Sequence, residues 1–98
     1  MIKAEIKGDI IAYVSKNGNG KYGWYVGIVA DPKDRLFNEH NVSEKYGLWI
    51  YSPADNSQVA RDTEIDLIEE LNAKGASGGG SDDTTFVYAY KITSTSKE

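Results

Sequence analysis

Apolar and polar positions alternate along this 98-residue chain in short runs broken by glycine and asparagine. Residues 3–14, KAEIKGDIIAYV, mix β-branched residues with rough alternation and predict a strand centred on Ile10–Val14. SKNGNGKYG follows, and its two Asn-Gly pairs are a hairpin signal. Trp24–Val29 is then the return strand. Asp31-Pro32 reads as a helix start, with Asp31 at the N-cap, Pro32 in the first position and Asp34 in the first turn. That helix is expected to run to about His40 and stop at Asn41.

Residues 46–51, YGLWIY, predict a short aromatic strand, and SPADNS a turn. Asn56 or Ser57 can cap a second helix over Gln58–Ala73, ended by Gly75. ASGGGSDD is a loop. TTFVYAYKIT is a last strand, with Phe86, Tyr88 and Tyr90 on one face and Val87, Ala89 and Lys91 on the other. The expected class is α+β: a small mixed or antiparallel sheet that starts with a β-hairpin and is flanked by two helices, in the order β-β-α-β-α-β. One domain over residues 1–93 is expected, with residues 94–98 a frayed tail.

The second helix carries one residue that breaks its pattern. With Glu64 at zero on a helical wheel, Leu71 lies within about 20°, Ala60 and Ile68 within about 40° and Leu67 within about 60°. Asp62, Asp66 and Glu69 lie near the opposite side. Glu64 is thus the one acid on the apolar face, where an unpaired carboxylate is costly. It calls for a cation, either an arginine in a structural pair or a metal ion, unless it lies at the end of the apolar stripe and still reaches water.

Two triplets precede it. Ala12-Tyr13-Val14 and Tyr25-Val26-Gly27 are separated by ten residues, and Arg35 follows Tyr25 by ten positions on the next helix. The ordered set of two triplets, an arginine and a helical glutamate resembles the GIY-YIG nuclease family over roughly residues 10–72. The resemblance implies a DNA endonuclease and roles residue by residue. Tyr13 matches the tyrosine of the first triplet, the proposed general base. A free phenol has a pKa near about 10, so that role needs positive charge beside it. Tyr25 would position phosphate or water, and Gly27 would allow close approach. Arg35 would bind the scissile phosphate. Glu64 would hold one Mg²⁺ or Mn²⁺.

The match is loose in places. The first triplet reads Ala-Tyr-Val, so Val14 takes the tyrosine's place in the stricter register. Glu39 stands four positions after Arg35, where the family often has histidine or tyrosine, and His40 follows it as a further candidate or as a half-buried helix residue. Ala76 stands near the family's asparagine position. Without the resemblance, Tyr13 and Tyr25 read as cross-strand packing, Arg35 as an ion-pair partner of Glu39 and Gly27 as a bulge.

Composition narrows the partners. A net charge of −4 and a pI of about 4.9 argue against a general electrostatic hold on nucleic acid. Lys16, Lys21, Lys33 and Arg35 are the local basic residues; Lys21 and Lys33 are candidates to bind substrate. Weak or selective DNA binding is expected, on branched, distorted or sequence-selected DNA, or with help from a protein partner or a homodimer. The absence of cysteine excludes disulfides and thiolate sites. No run is apolar enough for a signal peptide or a membrane span, so the expectation is a soluble cytoplasmic protein. The runner-up to a nuclease is a module of the same fold that acts by binding protein or DNA.

Overall fold

A computed structural model describes residues 1–18, 23–75 and 81–98. Its first element is a helix and not the expected strand. Helix α1 spans Lys3–Asn17 and buries Ile6, Ile10 and Val14. Those three residues recur every four positions. Four is close to one helical turn and also a multiple of two, so the spacing fits a helix and a strand equally well. The ends decide. The Glu5 carboxylate accepts the Ile2 N–H at 3.0 Å, which satisfies a donor of the first turn. At the other end Gly18 takes φ 72° and ψ 179°, a positive-φ conformation that glycine adopts freely and that ends the helix. Asn17 donates from its side chain to the Tyr13 carbonyl at 2.8 Å. Asn17-Gly18, read as a hairpin turn, is a helix terminus; the second pair, Asn19-Gly20, lies outside the described residues.

Strand β1, Trp24–Val29, therefore has no hairpin partner before it. It pairs with the last strand. β2 is Trp49–Pro53 and β3 is Phe86–Lys91, and the sheet order is β1-β3-β2 with both pairings antiparallel. The chain runs α-β-helical turn-β-α-β, an α+β arrangement. The register sets residues in rows across the sheet: Gly27, Tyr88 and Tyr51 form one, and Tyr25, Tyr90 and Trp49 the next.

The Asp31 helix start is present, with Asp31 Oδ1 accepting the Asp34 N–H at 3.2 Å. The helix it opens is short and wide. Asp34–Glu39 winds as a π-helix, and His40 donates its N–H to the Arg35 carbonyl, five residues back, at 2.8 Å. Asn41 then stops it at φ 57°. Helix α2 spans Ser57–Leu71; the Asn56 side chain caps it by accepting the Val59 N–H at 2.9 Å, and Asn72, ahead of Gly75, ends it in the left-handed region.

The sheet has two unlike faces. Trp24, Val26, Val87 and Ala89 pack against Ile6, Ile10 and Val14 of α1 and Ala60 and Leu67 of α2. Tyr88, Tyr90, Val29 and Ile92 pack against Leu36 of the π-helical segment and Val42 just beyond it. Lys3 and Lys7 of α1 reach Asp66 and Glu70 of α2, tying the two helices side by side. The backbone of Lys74 hydrogen-bonds Trp24 and Val26, so the chain leaving α2 lies along the outer edge of β1. The tail, expected to fray, folds back instead: Asn41 Nδ2 donates to the Thr95 carbonyl at 2.9 Å and Lys97 N–H to the His40 carbonyl at 2.6 Å. Among the described residues no helix is long and apolar enough to cross a membrane.

The helical conformation of residues 3–17 has a direct check. Gly8 is exposed in the middle of α1, and a Cβ there meets nothing. Gly8→Ala should stabilise the protein by about 0.5–1 kcal/mol in urea unfolding. A loss of stability would mean that this segment is not a helix.

Candidate active site

On the face of the sheet away from α1 and α2, Tyr25 of β1 and Arg35 and His40 of the π-helical segment and its end meet around the phenol of Tyr88. Gly27 is its cross-strand partner, and a Cβ on Gly27 would run into the Tyr88 ring and hydroxyl. The glycine is needed because the phenol lies over it. The space that the sequence suggested for substrate at Gly27 is thus taken by the protein's own phenol. From the same row system, Tyr25 stacks on Tyr90 at 5.3 Å between ring centroids and on Tyr88 at 6.3 Å.

The π-helical segment supplies Arg35 and His40. Arg35 makes the surface ion pair with Glu39 that i,i+4 spacing suggested, with Nε 3.1 Å from Oε1. It also faces inward: burial pulls its pKa down, but hydrogen bonding with Tyr88 and the charge of Glu39 outweigh this, so the guanidinium holds its proton more firmly than usual. His40 is 5% exposed. Its Nδ1 is 2.6 Å from the Lys97 carbonyl, and its Nε2 is 2.8 Å from the Tyr88 hydroxyl. A carbonyl only accepts, so Nδ1 carries the hydrogen, Nε2 is the free lone pair, and Tyr88 donates to it. Burial, with help from the charge of Arg35, pushes the imidazole's pKa down and keeps it neutral.

Glu64 comes from α2. It sits on the apolar face as the wheel requires, is 2% exposed, and its Oε1 has no hydrogen-bond partner among the described residues. Among the described residues no positive charge offsets its burial. Burial alone raises its pKa to about 7. Its charge is nonetheless felt by Tyr25, whose pKa is raised first by burial and then by Glu64, and least of all by Tyr88, raised first by burial, then by Tyr25 and last by Glu64. Among the described residues no three His, Cys, Asp or Glu side chains are grouped to hold a metal, so Glu64 would be a lone protein ligand. An orphaned, buried, ionisable oxygen fits a hard cation whose other ligands are water or substrate oxygens.

The structure brings together Tyr25, Gly27, Arg35 and His40; Glu64 shares the α2 stripe of Ala60 and Leu67, which packs on the other face of the sheet. It does not bring Tyr13 among them. Tyr13 is on α1, its oxygen accepting the Trp49 N–H at 3.1 Å and its ring meeting Trp24 edge-on. Lys33 is exposed at the entry to the π-helical segment, and Lys21 lies outside the described residues. Tyr88 was read only as one face of a strand. Its signal lay in its pairing with Gly27, which no local pattern reveals. The chain matches no protein-family model, no curated protein sequence and no solved structure.

Two outcomes follow from this geometry. Gly27→Ala should cost about 1–3 kcal/mol, read as a lower urea midpoint, because the new methyl displaces a packed ring. The second concerns pH. A carboxyl that keeps its proton up to about pH 7 when folded binds more protons than it does unfolded between about pH 4.5 and 7. Parent stability therefore falls across that window. In Glu64→Gln this contribution vanishes, so the variant should gain on the parent by on the order of 3 kcal/mol as pH rises through it. Parallel curves of stability against pH would show that Glu64 is not a buried, unpaired acid.

Proposed function

We propose that this chain hydrolyses phosphodiester bonds in DNA with Mg²⁺ or Mn²⁺, through a site similar to that of GIY-YIG nucleases. The observation that supports this most is the unpartnered, buried carboxylate of Glu64, felt electrostatically by two phenols that also feel Arg35. At neutral pH such a carboxyl is poised between its two forms, and a cation is what it lacks. A divalent ion held by Glu64 would polarise the phosphate and stabilise the leaving oxygen.

The chain's own groups divide the remaining work. Arg35 is the member of the cluster nearest solvent, its side chain 36% exposed. By turning from Glu39 toward a phosphate it supplies a fixed positive charge and a two-pronged donor. Tyr25, half-buried beside it, orients the phosphate. Lys16 and Lys33 are exposed and add a little local positive charge to an acidic protein. So small a basic surface suits DNA that is already distorted, branched or sequence-selected, or a hold shared with a protein partner or a second copy of the chain.

One observation favours a second reading. Glu64, His40 and Tyr88 are almost closed to solvent. That closure fits a module that keeps the fold but acts by binding protein or DNA.

Cleavage of supercoiled plasmid and of branched DNA with Mg²⁺ or Mn²⁺ separates the two. The parent should nick, and Arg35→Ala and Glu64→Gln should each lose at least about 100-fold in rate. Mg²⁺ should raise the melting temperature of the parent and not of Glu64→Gln. No cleavage, together with partner binding that Glu64→Gln leaves intact, would establish the binding module instead.

A further inference from the structure

We propose that the cleft between residues 41–47 and residues 91–96 is a second binding site, and that it takes the ring of a neutral saccharide. The inference stands apart from the hydrolytic reading above and uses none of its residues.

A cavity of about 400 Å³ opens in this cleft, inside the range of about 300–1,000 Å³ that small-ligand sites occupy. Each wall is held in shape by its own hydrogen bonds. On one side the Ser43 carbonyl accepts the Gly47 N–H at 2.8 Å, and Ser43 Oγ accepts the Tyr46 N–H at 3.0 Å. On the other side Ser96 Oγ accepts the Thr93 N–H and donates to the Thr93 carbonyl, each at 3.0 Å. Asn41 ties the walls together, its Nδ2 donating to the Thr95 carbonyl at 2.9 Å. The cavity is formed before any ligand arrives, which lowers the ordering cost of binding.

The polar groups left over decide the ligand class. The Ser43 hydroxyl accepts a hydrogen bond and donates none among the described residues. The hydroxyls of Thr93 and Thr95 share a single hydrogen bond at 3.2 Å, so one of their two hydrogens is spare. Asn41 uses its amide nitrogen, and its Oδ1 accepts nothing among the described residues. The cleft thus offers spare donors and a spare acceptor together. A phosphate or carboxylate oxygen only accepts and would leave the Asn41 oxygen unmet. An ammonium only donates and would leave the hydroxyl hydrogens unmet. A sugar hydroxyl does both.

Charge agrees with this choice. No Asp or Glu lines the cavity to balance a cation. Lys91, the charged residue of the lining, directs Nζ to the Asn17 carbonyl at 3.4 Å, and the net charge of −4 disfavours an anion. Val42 is the one aliphatic side chain in the lining, too little for an apolar ligand. Tyr46 supplies the surface for a ring. It is 81% exposed, so the fold makes little use of it, and it borders the cavity. Lys45 Nζ lies over one face of the phenol ring, 5.4 Å from its centroid. The C–H face of a sugar packs on the other, against the negative face of the π-system.

Amide NMR of the full chain tests the site, with glucose, galactose, N-acetylglucosamine and cellobiose each added to about 100 mM. At least one should give saturable shifts centred on Ser43, Tyr46, Gly47, Thr93 and Thr95, with a Kd of about 1–10 mM. Tyr46→Ala should weaken binding about tenfold or more, and Tyr46→Phe, which keeps the ring, should stay within about threefold of the parent. No saturable shift at those amides with any of the four sugars overturns the site. Shifts there with inorganic phosphate or adenosine while all four sugars are silent overturn the saccharide assignment. Parental affinity in Tyr46→Ala overturns the ring-stacking geometry on which the proposal depends. DNA cleavage enters none of these readouts, so the failure of either proposal leaves the other standing.

Discussion

The central strand has to satisfy two unlike faces at once, and most of the molecule follows from how it does so. β3 pairs on both edges and is buried along its length between its ends. Val87 and Ala89 are small enough for two helices to lie close on one side. Tyr88 and Tyr90 are large and carry hydroxyls, so the other side must provide both volume and hydrogen-bond partners. Gly27 provides the volume next to Tyr88. His40 and the Lys97 carbonyl provide the partners, which is why the π-helical segment and the tail are both drawn onto that face.

The polar content of this second core is what makes it a candidate for chemistry. An apolar core would hold the sheet as well or better. Here a neutral imidazole, two raised phenols and a guanidinium share one region with little water, and the buried carboxyl of Glu64 lies on the helix side of the sheet, near enough for its charge to be felt by the phenols. The hydroxyls of Tyr88 and Tyr90 and both imidazole nitrogens find partners; Glu64 Oε1 does not. An unpartnered buried acid costs stability, and clusters of shifted groups of this kind concentrate at functional sites.

The wide turn of Asp34–Glu39 matters for the same reason. An ordinary α-helix would rotate residue 40 by about a further 100° per inserted position, which changes what faces the sheet. With the five-residue hydrogen bond from His40 to Arg35, the guanidinium and the imidazole both reach one phenol. Asp31 and Asn41 mark where that turn begins and ends.

Much of this was open to a reader of the sequence, and the parts that were not share a cause. The alternation in FVYAYK, the Asn56 cap, the Asp31 start, the Asn41 stop and the lone acid on the apolar face of α2 are local patterns, set by periods of two and 3.6 residues and by side chains that bond their own backbone. Three things needed the whole fold. Ile6, Ile10 and Val14 suit either period, so only the docking of α1 on α2 and the sheet made a helix of a segment that reads as a strand. With that strand gone, the partner of Tyr25-Val26-Gly27 came from the far end of the chain, and Tyr88 stands where Tyr13 was expected. The tautomer of His40 depends on a carbonyl 57 residues away. Local sequence determined where elements start, stop and turn their apolar sides; long-range pairing decided which phenols meet the imidazole, because those contacts join residues that share no periodicity and no neighbourhood along the chain.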